Sequence, residues 1–192
     1  MNTVSSYFSK FFPMTEEQKQ YLENMVTTKT VEAGTYIVDQ GQICRKMVYL
    51  QEGTTAMIYE RDNKVYIKDF IFEDSIATVY ESYLTQQPAR YALKALTPCM
   101  YQSLSKHEIQ RVTEMVPQLR NVARILTENV YLNISQRFES LITLSAEERY
   151  IQLLERRPRL LSDVPLYLVA SYLGITDVAL SRIRNRVAQK NK

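Results

Sequence analysis

The 192-residue chain has few of the residues on which metal, redox and disulfide chemistry depend: two cysteines, one histidine and four glycines. Cys44 and Cys99 are too few for a disulfide framework or a metal cluster. Because His107 is the only histidine, most zinc sites and most histidine-dependent catalysis are excluded. No nucleophile–base pair and no glycine-rich loop is visible in the sequence. We therefore predict that the protein is not an enzyme and assign it no cofactor.

Long apolar runs are also missing. No segment approaches the ~20 apolar residues that a membrane helix needs. The first residues, Met-Asn-Thr-Val-Ser-Ser-Tyr, lack the basic and apolar regions of a signal peptide. The expectation is a cytoplasmic protein.

Excess charge of one sign is small overall but unevenly distributed. The formal net charge is +3. Residues 1–117 contain 12 basic and 14 acidic residues, whereas residues 118–192 contain 12 basic and 7 acidic residues. A basic C-terminal part is typical of a protein with one nucleic-acid-binding end.

Short β-forming segments separated by turn signals occupy the chain from Thr30 to about Leu104. We place strands at residues 36–38, 46–50, 54–59, 64–72, 92–96 and 100–104, with a hairpin signal at Asp62-Asn63. Three of the four glycines fall here. Many short strands predict a sandwich or barrel rather than alternating strands and helices.

A long amphipathic helix is predicted to begin near Pro117. Its apolar stripe consists of Leu119, Val122, Leu126, Val130, Ile134, Phe138 and Leu141. Such a stripe commonly packs on the chain's own β domain. The unusual length favours a second partner, of which the same helix of another subunit is the simplest. We therefore expect a homodimer.

Another helix is predicted from the capping box that starts at Ser145, and an arginine cluster follows its last turn. Arg156, Arg157 and Arg159 are either solvated charges that suit the end of the helix or contacts to phosphate. The sequence leaves both possibilities open.

The C-terminal stretch has the pattern of a helix-turn-helix. One helix is predicted over residues 165–173, and a second begins near Asp177. Ala170 permits a close helix crossing, Gly174 allows a tight turn, and Thr176 can cap the second helix. The apolar residues predicted between the helices are Val169, Leu173, Ile175, Leu180 and Ile183.

The second helix has an opposite, largely polar face, which we predict to contact DNA. The candidate residues are Thr176, Asp177, Val178, Ser181, Arg182, Asn185 and Arg186. The N-terminal part of such a helix meets base edges in the major groove, where an arginine such as Arg182 pairs with guanine. Arg184, Lys190 and Lys192 extend the basic tail, which would attract the DNA backbone.

Taken together, these segments resemble the Crp/Fnr family of bacterial transcription regulators. The N-terminal motif is Ala33-Gly-Thr-Tyr-Ile-Val-Asp-Gln-Gly41 with Val48-Tyr-Leu-Gln-Glu-Gly53, and the C-terminal motif runs from Leu173 to Ile183. The resemblance implies an α+β protein with an antiparallel β jelly roll as sensor domain (residues 1–116), a dimerisation helix (117–142) and a helix-turn-helix domain (143–192). It also implies double-stranded DNA and RNA polymerase as partners. The chain ends soon after the second helix, so we expect no wing.

The motif that binds cyclic nucleotides in some members is not matched. No glycine lies between Gly53 and Gly174, Glu73 and Asp74 are acidic, and Arg90 is one position from the expected phosphate-binding arginine. An effector pocket would thus be unsuited to cAMP, and its ligand stays unidentified. Its candidate lining residues are Phe72, Tyr80, Tyr83, Arg90 and Tyr91; alternatively, the tyrosines are only core. The competing hypothesis for the whole chain is a ligand-binding signalling module whose helical domain does not bind DNA.

Overall fold

The computed structural model describes residues 2–62 and 64–190. The eight strands are β1 (Thr27–Val31), β2 (Tyr36–Val38), β3 (Lys46–Glu52), β4 (Thr54–Arg61), β5 (Lys64–Phe72), β6 (Ser75–Ala77), β7 (Ala92–Ala95) and β8 (Cys99–Ser105). The helices are α1 (Val4–Phe8), α2 (Glu16–Met25), α3 (Tyr80–Thr85), α4 (Lys106–Met115), α5 (Leu119–Thr143), α6 (Ala146–Arg156), α7 (Leu160–Asp163), α8 (Leu166–Leu173) and α9 (Asp177–Lys190).

The strands form two antiparallel four-stranded sheets that pack face to face. Their orders are β1-β8-β3-β6 and β2-β7-β4-β5. The crossed strand order, with non-consecutive strands paired in both sheets, is that of the predicted jelly roll. The α+β fold class is therefore confirmed, with an all-antiparallel β domain followed by helices.

Helix starts follow the side chains that cap them. Thr15, Ser105 and Ser145 each accept a hydrogen bond from the backbone N–H three residues later, and the side chain at that later position bonds back in each case. These capping boxes satisfy amide groups that have no partner inside the helix. The helix start predicted at Ser145 is thus confirmed.

Three apolar clusters hold the layers together. The first lies between the two sheets and includes Leu50, Tyr91 and Leu93. The second covers the outer face of the β1-β8-β3-β6 sheet with α1, α2, α4 and the beginning of α5. The third joins the outer face of the other sheet to helices α6–α9. Both outer faces of the sandwich are therefore covered by helices of the same chain.

Some elements were not predicted from the sequence. Strand β1 is mostly exposed and polar because it is an edge strand that pairs only with β8. Strand β6 and helices α1, α3 and α7 are too short for periodicity to reveal them. The hairpin turn was predicted at Asp62-Asn63. Asp62 has a left-handed φ of 51°, and Asn63 lies outside the described residues.

Candidate nucleic-acid interface

Helices α8 and α9 meet at an angle of 96° across a three-residue turn. Gly174 ends α8 with φ +69°, a left-handed conformation that glycine adopts without strain. The Thr176 hydroxyl accepts a hydrogen bond from the Ala179 amide at 3.2 Å and so caps α9. Angle, turn and cap are those of a helix-turn-helix, as the sequence predicted.

The wedge between the two helices is formed by the predicted apolar residues. Val169, Leu173, Leu180 and Ile183 are buried, and Ile175 is half-buried. Ala170 is completely inaccessible to solvent, so a larger side chain there would force the helices apart. This packing fixes which face of α9 turns outward.

All seven side chains predicted to contact DNA are exposed on α9 or its cap: Thr176, Asp177, Val178, Ser181, Arg182, Asn185 and Arg186. The structure thus brings them together on one accessible surface. Within residues 2–62 and 64–190, Arg182 makes no ion pair, so its guanidinium is free to bind another molecule. Arg184, by contrast, is half-buried.

Part of the basic tail is held by an acidic residue of α6. Glu147 accepts hydrogen bonds from Lys190 at 2.7 Å and lies 3.3 Å from Arg186. The hydrogen bond from Lys190 and the neighbouring charge of Arg186 lower the pKa of Glu147 below its ordinary value. Arg186 therefore carries less unbalanced charge than Arg182. Lys192 lies outside the described residues.

The helix-turn-helix is joined to the β sandwich along the free edge of β5. The Ser171 hydroxyl of α8 accepts a hydrogen bond from the Ile67 amide and donates one to the Val65 carbonyl. Arg137 of α5 donates to the carbonyls of Ile67, Lys68 and Tyr172, and thereby links three parts of the chain. Nothing in the local sequence indicated Ser171 or Arg137, since their partners lie far away in the chain.

The arginine cluster at the end of α6 also contacts the β sandwich. Arg157 donates to the Phe70 carbonyl and to Asp69, both at 2.8 Å. Arg159 forms an ion pair with Glu73 at 2.6 Å. Both arginines thus have a carboxylate partner in or next to β5, a contact that neither alternative from the sequence included, while the Arg159 side chain is still 69% exposed. Arg156 is exposed.

The five residues proposed for an effector pocket do not form one group. Tyr83 and Tyr91 are buried between the sheets, where Tyr91 packs against Tyr59 at 5.3 Å between ring centroids. The Tyr80 hydroxyl contacts Thr127 of α5 at 2.8 Å. Arg90 is exposed, and Phe72 packs in the cluster outside the sandwich. Phe72 is thus separated from the tyrosines by the sheet itself.

The predicted stripe on α5 divides into two parts. Leu119 and Val122 are buried against the N-terminal helices of their own chain, and Leu126 packs partly on the same cluster. Val130 and Ile134 are exposed, as are Phe138 and Leu141. A second subunit could therefore reach the later residues of the stripe but not Leu119 or Val122.

Among the described residues, no single helix is long and apolar enough to cross a membrane. Helices α8 and α9 meet that criterion only as a bent pair, and the apolar side of α8 is buried in the protein core.

Several solved structures of transcription regulators share this arrangement. FixK2 from Bradyrhizobium japonicum superposes with a TM-score of 0.75 at 14% identity, covering 86% of each chain. A transcriptional regulator of the Crp/Fnr family from Eubacterium rectale has a TM-score of 0.72 at 13% identity, covering 96% of this chain and 88% of the other. The c-di-GMP-responsive regulator CLP from Xanthomonas campestris has a TM-score of 0.70 at 13% identity, covering 92% of this chain and 93% of its own.

Comparison of the sequence finds no matching family model and no matching curated relative. The similarity extends through both the β sandwich and the C-terminal helices, and the proteins that share it are regulators rather than enzymes. The chain therefore has the fold of the Crp/Fnr transcription regulators, the family that its sequence motifs resemble.

Proposed function

We propose that this chain is a homodimeric, sequence-specific DNA-binding regulator of transcription. The observation that carries the proposal is the outward face of α9, where seven side chains suited to DNA contacts are exposed together on a helix fixed by a packed wedge. In a helix-turn-helix this face enters the major groove. Arg182 would read guanine, while Ser181 and Asn185 would contact bases or phosphates.

Dimerisation through α5 is the second part of the proposal. Every residue from 127 to 136 is exposed, so the middle of this helix is left uncovered by the described part of the chain apart from the Tyr80–Thr127 contact at its start. Tyr131, Ile134, Phe138 and Leu141 recur at intervals of three, four and three residues. That spacing is the seam of a two-stranded coiled coil. A second copy of α5 would bury these side chains and bring two α9 helices to one DNA duplex.

The docked helix-turn-helix gives the sensor domain a means of influencing DNA binding. Arg137 joins α5 to both β5 and α8, so a change in any of the three alters the orientation of α9 relative to the dimer helix. An effector would act by binding one orientation more tightly than another. Its site in this proposal lies between the jelly roll and α5, near Tyr80.

Selection of bound fragments from random duplex DNA, with and without cyclic nucleotides, tests the proposal. We expect enrichment of an inverted repeat whose half-sites lie about one helical turn, ~34 Å, apart. The absence of enrichment under every condition would favour the alternative, a ligand-binding signalling module without DNA-binding activity. Recruitment of RNA polymerase to the selected site is a further expectation, to be measured by transcription in a purified system.

A further inference from the structure

A cavity of about 520 Å³ lies between the sensor domain and the helical domain, away from both the tyrosines and α9. The sensor side consists of the β3–β4 turn at Gly53 and Thr54, the end of β5 at Phe72, and Thr97. The other side is the segment from Arg156 to Leu160 with Asp163. The volume is within the range of ~300–1,000 Å³ that small-molecule sites commonly have.

The sensor wall of the cavity is held rigidly. A side chain at Gly53 would approach the Pro98 carbonyl oxygen to 2.4 Å, so the turn packs too closely for any other residue. The Thr54 amide donates to the Thr97 hydroxyl at 2.9 Å, and the Thr54 hydroxyl donates to Asp163 at 3.2 Å. These bonds fix the wall, and because the Ser162 hydroxyl donates to the other oxygen at 2.8 Å, both carboxylate oxygens of Asp163 are occupied.

Among residues 2–62 and 64–190, one of the three guanidinium groups in the lining has no ion-pair partner. Arg157 is paired with Asp69 at 2.8 Å and Arg159 with Glu73 at 2.6 Å. Arg156 forms no such pair. A carboxylate is the matching ligand for this group, because a planar guanidinium binds a carboxylate through two parallel hydrogen bonds.

The remaining surface is apolar. Phe72 is half-buried, Leu160 is fully buried, and Pro158 completes the lining. The Arg157 guanidinium lies 5.6 Å from the centre of the Phe72 ring and keeps this ring in place from one side. An aromatic or similarly flat body would gain contact area against these side chains.

We propose that this cavity binds a small organic monoanion, a carboxylate on a flat apolar body, with the carboxylate on Arg156 and the body against Phe72. Because both domains line the cavity, it exists only when they are docked. A bound anion therefore stabilises the docked arrangement, by an amount that rises with the ratio of its concentration to its dissociation constant.

Direct binding of naphthalene-2-carboxylate to the full chain tests this assignment without DNA, so the result does not depend on the proposed regulatory function. Calorimetric titration should give binding at least about tenfold tighter than that of neutral naphthalene-2-methanol or of acetate. Arg156→Ala should weaken binding of the carboxylate by about tenfold or more, and Arg156→Lys should weaken it by less. Arg111→Ala, which removes an exposed arginine of α4, is the matched control and should leave affinity unchanged.

Thermal unfolding gives a second measurement. The carboxylate should raise the Tm of the wild type and of Arg111→Ala, but not that of Arg156→Ala, whose fold circular dichroism would verify. No binding at millimolar concentration would overturn the proposal. Equal binding of the neutral alcohol, or equal affinity in Arg156→Ala, would likewise overturn it.

Discussion

Ser171, on the first helix of the helix-turn-helix, accepts a hydrogen bond from the Ile67 amide of β5 at a distance of 3.1 Å. Its hydroxyl also donates to the Val65 carbonyl at 2.9 Å. Strand β5 is the edge of its sheet, and an unpaired edge exposes backbone groups that invite association with other chains. One side chain of the helix-turn-helix therefore satisfies two backbone groups of the β sandwich.

Removal of that hydroxyl should loosen the contact between the domains. Ser171→Ala leaves two half-buried backbone groups without a partner, and we expect the free energy of unfolding to fall by about 1–2 kcal/mol. Urea titration followed by circular dichroism measures the loss. Ser162→Ala is the control because its hydroxyl is exposed and bonds only within its own segment. A loss no larger than that of the control would show that the edge contact is dispensable.

Arg182 is the residue on which base recognition should depend most. We expect Arg182→Ala to weaken binding to the selected DNA site by about 1–3 kcal/mol while affecting random DNA much less. Arg186→Ala should weaken binding to the selected site and to random DNA equally. The Arg186 side chain also forms an ion pair with Glu147. Fluorescence anisotropy at several salt concentrations separates the two effects. If Arg182→Ala reduced affinity for both DNAs equally, Arg182 would be a phosphate contact and not a base contact.

The exposed seam of α5 predicts how dimerisation can be broken. Ile134→Glu places a charge at the centre of the seam, where burial without a partner is unfavourable, and should raise the dimer dissociation constant by at least about tenfold. Gln136→Glu adds the same charge on the opposite side of the helix and is the matched control. Sedimentation equilibrium compares the two variants. A monomeric wild type, or an unchanged dimer in Ile134→Glu, would contradict the seam.

Acid should weaken the contacts that Asp74 makes with Lys10, which follows α1, and with Tyr49 of β3. Burial tends to raise the pKa of this carboxyl, but hydrogen bonds from Lys10 and from Tyr49 (2.9 Å) outweigh it, so the pKa lies below its ordinary value of 3.8. The folded state therefore binds the proton more weakly than the unfolded chain. The stabilisation that the ionised Asp74 carboxylate contributes is present above pH 3.8 and is lost as the pH falls through the lower pKa of the folded state.

Asp74→Asn should accordingly reduce the free energy of unfolding by about 0.5–1 kcal/mol at pH 7, a modest value because Asp74 is partly exposed. The difference from the wild type should shrink as the pH falls below 3.8. Urea titrations across this range measure it, with Asp62→Asn as a control at a highly exposed aspartate. A difference that does not change with pH would exclude the carboxylate's charge as its source.

Local sequence determined much of the candidate site. Gly174, Ala170 and Thr176 act within a few residues of their own positions, so turn, crossing and cap were predictable from residue type and spacing alone. The outward face of α9 followed from the same spacing. The capping box at Ser145 located a helix start for the same reason: both of its partners lie within three residues.

Tertiary structure decided what lies against the outer faces of the sandwich. From the sequence, Arg157 and Arg159 were either solvated charges or contacts to phosphate. In the structure, both bind residues more than 80 positions away. Phe72 was grouped with tyrosines that the sheet separates from it, and Leu119 belongs to its own domain's core. Periodicity shows that a face is apolar, but only the folded chain determines which surface covers it, because that depends on contacts between distant segments.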